Sequence, residues 1–353
     1  MNVYQQRTLS LQDMMVREKV DHFLVQSPAN RFYLSGFELF DPQCNESAGS
    51  LLVCRDKTFL LTDPRYAEAG REFFSEEDIF VYTNSKFEQI RDFFKKTKVR
   101  SLGFEPQWMN YELYTELKKD FELFPVRNFV EELRMIKDQD EIDCLQKSCQ
   151  LNHKVFKWLE ELVVPGMTEA EIAWEAEKMF RENKASGLSF STIVASGQRA
   201  ALPHANPRHQ PISAQAPLLV DMGCRFRDYC SDQTRTFWIG EKTDQNFVQT
   251  KELVLQAQEL AISRIEPEMP IREAYDLVVG FFEKHGVHKH FTHALGHGIG
   301  LETHEMPSLG PRTKGNFKPG MVVTVEPGLY YPEWGGVRWE FMILITEKGN
   351  TIL

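Results

Sequence analysis

The sequence lacks the surplus of positive charge that binding to nucleic acid requires. Its 353 residues include 41 lysines and arginines against 51 aspartates and glutamates, which gives a formal net charge of −10 at pH 7. Proteins that bind nucleic acid or an anionic membrane surface carry a basic footprint. We therefore expect no nucleic-acid partner and no membrane partner.

Long hydrophobic runs and paired cysteines are missing as well. No apolar stretch approaches the roughly 18 residues of a transmembrane helix. The first residues do not combine a basic segment with an apolar run, as signal peptides do. The six cysteines form no CxxC pair, which argues against a disulfide framework and against a thiolate metal site. We expect reduced thiols and a cytoplasmic protein.

The first third of the chain has no glycine-rich phosphate loop and no carboxylate pair with convincing spacing. Short runs rich in Val, Leu and Phe predict strands at 21–26, 50–54 and 58–62. Apolar residues at helical spacing predict helices at 87–94 and 111–121. This alternation predicts a small α/β layer domain, which we interpret as structural or oligomerising.

The rest of the chain shows a repeat of architecture. Asp138 and Glu141 resemble a capping box at the start of a helix that should end before Pro165. A second helix is predicted from Thr168, and another helix pair at about 245–264 and 270–285. Strand-like segments follow each helix pair. This order predicts a pseudo-twofold domain with a site between its two halves.

Asp221 and Asp232 are the first pair of acids that suggests a site. Both lie in strand-like segments, and a turn centred near Phe226 would make them direct cross-strand neighbours, with Cβ atoms about 5 Å apart. The apolar run before Asp221 predicts burial. Two buried carboxylates that face each other need a cation or a proton between them. The alternative is that these acids face solvent or cap turns.

Glu326 and Glu340 form a second pair with the same arrangement of strand, turn-rich connection and strand. His297 lies between the two pairs in the sequence, within the glycine-rich segment 296–300, where glycine allows the backbone to approach another group closely. Four carboxylates and one imidazole favour Mn²⁺, Co²⁺, Fe²⁺ or Zn²⁺. Their charge is sufficient for two ions.

These segments resemble the pita-bread metallopeptidases, the group of methionine aminopeptidase, aminopeptidase P and prolidase. The similarity covers roughly residues 130–353, and the preceding region resembles the extra domain of the proline-specific branch and of creatinase. The resemblance implies an α+β fold, with a smaller α/β creatinase/prolidase-type domain at 1–130 before a pita-bread catalytic domain at 131–353. Five positions match the metal-ligand motifs of the family: Asp221, Asp232, His297, Glu326 and Glu340.

The resemblance also implies roles for residues beside the metal ligands. His204, in the segment Leu-Pro-His-Ala, and His293, four residues before His297, match substrate-binding histidines. His304 matches the histidine that polarises the scissile carbonyl, and we expect His204 and His304 to be catalytic as well. Arg338 matches the arginine of the Val-Arg-x-Glu motif, which orients the site and binds substrate.

The implied reaction is hydrolysis of the bond between an N-terminal residue and a following proline. A hydroxide that bridges two divalent ions, with Mn²⁺ expected first and Co²⁺, Zn²⁺ or Fe²⁺ as alternatives, would attack the carbonyl carbon. Glu326 would accept the proton of the water. Peptides with proline at the second position are the expected substrates, and the family implies a homodimer.

Two alternatives to an Xaa-Pro aminopeptidase stay open. In several prolidases the segment after the later histidine reads His-Glu-x-Pro-Arg, with an arginine that can hold the carboxylate of a dipeptide. Here Ser308 occupies the arginine position, so we favour an aminopeptidase and keep Xaa-Pro dipeptidase as the alternative. A catalytically silent binding module is the alternative of a different class, and the complete ligand set argues against it.

Overall fold

The chain divides into two units, Met1–Arg134 and Met135–Leu353. The structure, a computed structural model, describes residues 2–39 and 47–353. The helices of the first unit are α1 (Val3–Arg17), α2 (Pro28–Ser35), α3 (Ala67–Gly70), α4 (Lys86–Lys96), α5 (Tyr111–Leu117) and α6 (Phe129–Met135). Its strands are β1 (His22–Val25), β2 (Ser50–Cys54), β3 (Thr58–Thr62), β4 (Ile79–Val81), β5 (Ser101–Phe104) and β6 (Glu122–Pro125). The domain limits predicted from the sequence, 1–130 and 131–353, stay a prediction.

The first unit is built on a mixed sheet with the strand order β4-β3-β2-β1-β5-β6. Strand β1 pairs antiparallel with β2 and parallel with β5. The three predicted strands are present as β1, β2 and β3, and their apolar runs are buried: Leu24, Leu52 and Leu61 are at most 1% exposed. The alternation of strands and helices therefore arises as predicted, from burial of apolar runs on the sheet.

One predicted helix of this unit is shorter than expected. Helix α5 ends at Leu117, whereas the apolar pattern predicted a helix up to residue 121. Phe121 is buried, and it lies immediately before β6 rather than on the helix. Phe121 therefore packs in the same apolar cluster as Leu113 and Leu117 without belonging to the helix.

The second unit contains two pairs of long helices, each followed by strands. The helices are α7 (Gln139–Leu162), α8 (Glu169–Glu182), α9 (Gln245–Arg264) and α10 (Ile271–Lys284). The strands are β7 (Gly187–Leu188), β8 (Ile193–Ser196), β9 (Ala216–Met222), β10 (Cys224–Phe226), β11 (Tyr229–Cys230), β12 (Gln233–Ile239), β13 (His297–Gly298), β14 (Glu305–Ser308), β15 (Val322–Val325), β16 (Gly328–Tyr331), β17 (Gly335–Arg338), β18 (Phe341–Thr346) and β19 (Gly349–Ile352).

Capping boxes start both helices of the first pair. Asp138 accepts a hydrogen bond from the backbone N–H of Glu141, whose side chain accepts one from the backbone of Asp138. Thr168 and Glu171 form the same reciprocal pair at the start of α8. Each box satisfies two backbone donors that a helix leaves unpaired at its N-terminus. Both helices therefore begin where the sequence predicted.

Each helix pair packs on its own strands. Phe180 of α8 and Leu218 of β9 belong to one buried cluster, which α7 also lines. Phe282 of α10 and Val323 of β15 belong to a second cluster, which α9 also lines. The principal sheets of the two halves have the orders β12-β9-β8 and β14-β13-β15-β18-β19. This repetition is the predicted pseudo-twofold architecture.

Two expectations about the whole chain concern membranes and thiols. Within residues 2–39 and 47–353, no helix is long and apolar enough to cross a membrane. The five cysteines in these ranges are free and buried.

Candidate metal centre

Asp221 lies near the end of β9, a strand in which every residue is buried. Strand β9 pairs antiparallel with β12, and the partner of Asp221 across the ladder is Thr234. Asp232 precedes β12 by one residue and therefore lies diagonally across from Asp221. The prediction that the two aspartates are direct cross-strand neighbours is wrong.

The difference arises in the turn of the hairpin. The chain reverses at Arg227 and Asp228, which adopt positive φ values of 46° and 71°, and Phe226 is the last residue of β10. The register therefore differs by two residues from the predicted one. Because side chains alternate between faces with a period of two, this difference leaves Asp221 and Asp232 on the same face. The two acids still converge.

Glu326 and Glu340 lie between two ladders that share one register. Val325 pairs with Phe341 where β15 meets β18, and Gly328 pairs with Arg338 where β16 meets β17. Continuing either ladder into the gap places Glu326 opposite Glu340. The second pair of acids is therefore a direct cross-strand pair.

Close backbone approach explains the glycines around His297. A Cβ atom on Gly296 would lie 2.0 Å from the carbonyl oxygen of Thr324, and one on Gly298 would lie 2.1 Å from that of Met306. Neither space admits a side chain. The glycines therefore bring the short strand β13, and His297 with it, against β14 and β15.

The orientation of the His297 ring leaves one nitrogen free for a ligand. Nδ1 lies 3.0 Å from the carbonyl oxygen of Gly298, and because a carbonyl only accepts, Nδ1 must carry the proton. Nε2 then presents its lone pair, 3.6 Å from Asp232 Oδ2 and 3.4 Å from Glu326 Oε1. This is the arrangement of a histidine that binds a metal through Nε2.

All five predicted ligands meet in one cluster of the described residues. Three overlapping groups have ligand atoms within 4.8 Å of one another. The groups are Asp221, Asp232 and Glu340; His297, Glu326 and Glu340; and Asp232, His297 and His304. The structure thus adds His304, which the sequence placed on the substrate side, to the edge of the same cluster.

Two buried oxygens of the cluster indicate whether its residues could bind a cation. Asp221 Oδ1 and Glu340 Oε1 have no hydrogen-bond partner although they are removed from solvent. A buried acceptor without a partner is costly in a protein. Both oxygens lie in the group whose ligand atoms converge. Bound cations would satisfy them, so the residues present fit a metal site.

The electrostatics of the cluster agree with this test. Burial, and then the charges of Glu340 and Asp221, raise the pKa of Asp232 well above its usual range. Burial raises the pKa of Glu326 to about 8. Burial, and then the neighbouring His304, lower the pKa of His297 to about 4, which keeps its imidazole neutral. A cation would relieve the repulsion among the acids, and a neutral imidazole is the form that binds metals.

Arg338 links the first acid to the wall of the site. Its guanidinium donates to Asp221 Oδ2 at 2.6 Å, to Thr234 Oγ1 at 2.9 Å and to the Tyr330 hydroxyl at 2.9 Å. Thr234 in turn donates to Glu340 Oε2 at 2.7 Å. The buried Arg338 therefore orients Asp221 directly and Glu340 through Thr234.

Sequence reasoning missed Thr234 and Tyr330. Thr234 is two residues after Asp232, so strand alternation could have placed it on the same face. Tyr330 is marked less clearly, because one partner, Arg338, lies on the paired strand β17 but the other, His293, is 37 residues away in sequence. The Tyr330 hydroxyl lies 2.9 Å from His293 Nε2, while His293 Nδ1 lies 2.7 Å from the Ala294 carbonyl oxygen. Tyr330 therefore donates its proton to His293.

The three histidines predicted on the substrate side have different surroundings. His293 is largely enclosed, and burial, followed by Arg338, lowers its pKa to about 4. His304 is exposed, and its ring lies edge-on to His297 with centroids 4.2 Å apart. Burial, and then nearby His204, lower the pKa of His304. His204 is itself exposed and close enough to act on both other histidines.

A pseudo-twofold domain with clustered, buried carboxylates defines a metal-dependent enzyme of the pita-bread class. Comparison with known proteins specifies the family. The profile described as "Metallopeptidase family M24" matches residues 143–347, and the profile "Creatinase/Prolidase N-terminal domain" matches residues 7–136. The chain belongs to metallopeptidase family M24. The predictions of this family, of the two-part α+β fold and of a metallo-exopeptidase are confirmed.

Similar proteins cover nearly the whole chain. An uncharacterized peptidase of Bacillus subtilis is 36% identical over 334 residues, which are 94% of this chain and 92% of the relative. The structure of an Xaa-Pro dipeptidase from Bacillus anthracis has a TM-score of 0.91 at 32% identity and covers 99% of this chain and 97% of that one. The structure of an X-Pro aminopeptidase from Thermotoga maritima has a TM-score of 0.87 at 28% identity, with 98% and 96% covered.

Proposed function

We propose that the protein is an Xaa-Pro aminopeptidase, which hydrolyses the bond between an N-terminal residue and a following proline. The observation that carries this proposal is the convergence of five ligand side chains with unpaired, buried carboxylate oxygens among them. Similar proteins are named as Xaa-Pro dipeptidases and X-Pro aminopeptidases. They support specificity for proline without distinguishing the two activities.

The proposed metal ligands are the five clustered residues, which would hold two divalent ions, with Mn²⁺ expected first. They are Asp221, Asp232, His297, Glu326 and Glu340. When bound, such ions supply Lewis acidity and lower the pKa of a water molecule towards neutrality. The four carboxylates are of the hard type that Mn²⁺ prefers, and the single imidazole also suits Co²⁺, Zn²⁺ or Fe²⁺.

Two residues of the site would handle protons and the carbonyl oxygen. Glu326 would accept a proton from the attacking water and pass it to the leaving nitrogen. Thr324 Oγ1 donates a hydrogen bond to Glu326 Oε1 at 3.3 Å, which favours one orientation of this carboxylate. His304, exposed beside the cluster, would donate a hydrogen bond to the scissile carbonyl. The water oxygen would form the new bond to the carbonyl carbon, and the C–N bond would break as the leaving nitrogen takes the proton.

A preference for proline would follow from the remaining histidines. The bond before proline is a tertiary amide without an N–H group, so an enzyme that binds that donor handles it poorly. His293, held by Tyr330 and by the carbonyl of Ala294, and His204 would instead line a space for the pyrrolidine ring. Arg338 would help to orient His293 through its hydrogen bond to the Tyr330 hydroxyl.

The length of the substrate is the finer part of the proposal. Ser308 is exposed at the end of β14, and a serine cannot form the bidentate ion pair that an arginine forms with a dipeptide carboxylate. This supports an aminopeptidase over a dipeptidase. We also propose that the protein acts as a homodimer in the cytoplasm.

The test compares the tripeptide Ala-Pro-Ala with the dipeptide Ala-Pro under identical metal loading. Release of alanine from the tripeptide, with little cleavage of the dipeptide, is expected. The variant Ser308→Arg should shift the ratio of kcat/KM towards the dipeptide, and Ser308→Thr serves as the matched control. Preference of the unaltered protein for the dipeptide would establish the alternative, an Xaa-Pro dipeptidase.

A further inference from the structure

Glu169 has a buried carboxylate that accepts four hydrogen bonds from a loop distant in sequence. It is the first residue of α8, and its side chain is 4% exposed. Oε1 accepts hydrogen bonds from the backbone N–H of Ser196 at 2.9 Å and from Arg199 Nε at 3.1 Å. Oε2 accepts from the backbone N–H of Arg208 at 3.0 Å and from Arg199 Nε at 3.3 Å.

These donors lie at both ends of one segment. Ser196 ends β8, Arg199 follows it in a short helical turn, and Arg208 comes after the irregular stretch that contains His204 in a turn. Arg199 also donates through Nη2 to the carbonyl oxygen of Asn206 at 2.6 Å. A single carboxylate and the arginine paired with it therefore tie together the two ends of the segment 196–208, which we call the His204 loop.

Other contacts also hold the middle of this loop, since Ala200 and Ala205, on either side of His204, are buried in an apolar cluster. Arg338 Nη1 donates to the carbonyl oxygen of Pro203 at 3.2 Å, next to His204. His204 itself is exposed, and Leu202 is 50% exposed. Ordering an exposed residue such as His204 costs conformational entropy, so its position depends on these neighbouring contacts together with the hydrogen bonds of Glu169 at the two ends of the loop.

We propose that Glu169 is a positioning residue that fixes the His204 loop and so holds His204 at the substrate. This inference rests on the proposed function, since it takes His204 to contact the peptide. The hydrogen-bond partners of Glu169 are Ser196, Arg199 and Arg208, none of which is a proposed metal ligand or substrate-binding residue. Glu169 acts through these three residues, and its carboxylate is needed because only an acceptor with two oxygens satisfies three donors at once.

The variant Glu169→Gln keeps the size of the side chain but places an amide N–H₂ among hydrogen-bond donors. We expect a KM for Ala-Pro-Ala that is about tenfold higher, with a smaller change in kcat, since partners that support site residues typically contribute 10–100-fold. The content of bound metal should not change. Glu177→Gln is the matched control, because Glu177 lies on the same helix and pairs with Arg181 at the surface.

Two further readouts separate positioning from a general loss of stability. Hydrogen exchange should accelerate in residues 196–208 of the Glu169→Gln protein and stay unchanged elsewhere in the unit. In a double-mutant cycle, Glu169→Gln should add little to the loss caused by His204→Ala, because both changes remove the same contact. Unchanged exchange in the loop, or fully additive losses, would overturn the inference.

Failure of the proposed function would have a different signature. If the unaltered, metal-loaded protein cleaves no peptide with proline at the second position, the proposed function is wrong. The exchange experiment still decides whether Glu169 fixes the loop, since it needs no turnover. If instead the unaltered protein is active and His204→Ala has no effect on KM, the role of His204 is wrong, and the positioning role of Glu169 is overturned with it.

Discussion

Arg338 and Asp221 form a buried ion pair, with Nη2 and Oδ2 separated by 2.6 Å and side-chain exposures of 3% and 10%. The same guanidinium reaches Thr234 and Tyr330. Breaking a buried pair leaves one charge uncompensated, which is strongly destabilising. Arg338 therefore fixes the orientation of Asp221 and leaves Oδ1, the other oxygen of that carboxylate, available to a cation.

Replacing Arg338 by lysine should impair the site although the charge is kept. Lysine has no planar fork and cannot reach Asp221, Thr234 and Tyr330 together. We expect kcat/KM to fall about 10–100-fold, with weaker metal binding, as is typical for partners that orient ligands. Steady-state kinetics and metal titration measure both effects. Arg272→Lys, at an exposed pair on α10, is the control, and equal activity of the two variants would contradict the role of Arg338.

Replacing Glu326 by glutamine should abolish turnover while the fold persists. Glutamine neither supplies an anionic ligand nor accepts the proton of water, and loss of a general base costs about 10²–10⁴-fold in rate. Circular dichroism should be unchanged, and kcat should fall by at least two orders of magnitude. Glu347→Gln, in the exposed turn after β18, is the comparison. A kcat within a few fold of the unaltered protein would remove Glu326 from the mechanism.

The convergence of the candidate ligands could be predicted from the sequence, because each acid follows or precedes an apolar run and matches a family motif. Every residue of β9 is buried, so Asp221 could only be a buried acid. The starts of α7 and α8 were also predictable, since Asp138 and Thr168 are N-cap residues with a glutamate three residues later, which is the sequence pattern of a capping box.

The register and the supporting contacts could not be predicted. The first hairpin turns on Arg227 and Asp228, two residues with positive φ that no glycine or asparagine marks. Tyr330 is hydrogen-bonded to His293, and Glu169 to Ser196, Arg199 and Arg208, all 27 to 39 residues away in sequence. Side-chain hydrogen bonds of this kind leave no periodic pattern. The sequence therefore predicts which residues converge at the candidate metal centre better than it predicts which residues support them.

Glu105 of the first unit should make stability depend on pH. It is buried and accepts hydrogen bonds from the backbone N–H groups of Gln26 and Ser27 and from the side chain of Asn30. Burial nevertheless raises its pKa to about 7 from 4.5. The folded state therefore holds the proton more tightly than the unfolded state. The free energy of unfolding should fall as the pH rises from about 4.5 to 7, by about 3 kcal/mol in total.

The variant Glu105→Gln supplies the reference for this measurement because glutamine does not titrate. Hydrogen exchange of the β1 amides, compared between the two proteins at each pH, cancels the intrinsic pH dependence of exchange. The stability of the unaltered protein relative to the variant should decrease between pH 4.5 and 7 and then level off. A constant difference across this range would show that the Glu105 carboxyl does not titrate there.

The central claim, metal-dependent cleavage before proline, is tested most directly by removing and restoring the metal. The protein is treated with a chelator, dialysed, and supplied separately with Mn²⁺, Co²⁺, Zn²⁺ or Fe²⁺. Alanine release is then measured from Ala-Pro-Ala and, as the control, from Ala-Ala-Ala. We predict loss of activity on chelation, recovery with at least one ion, preference for the proline peptide and two bound ions per chain. Full activity without metal, or an inert protein with every ion, would contradict the account.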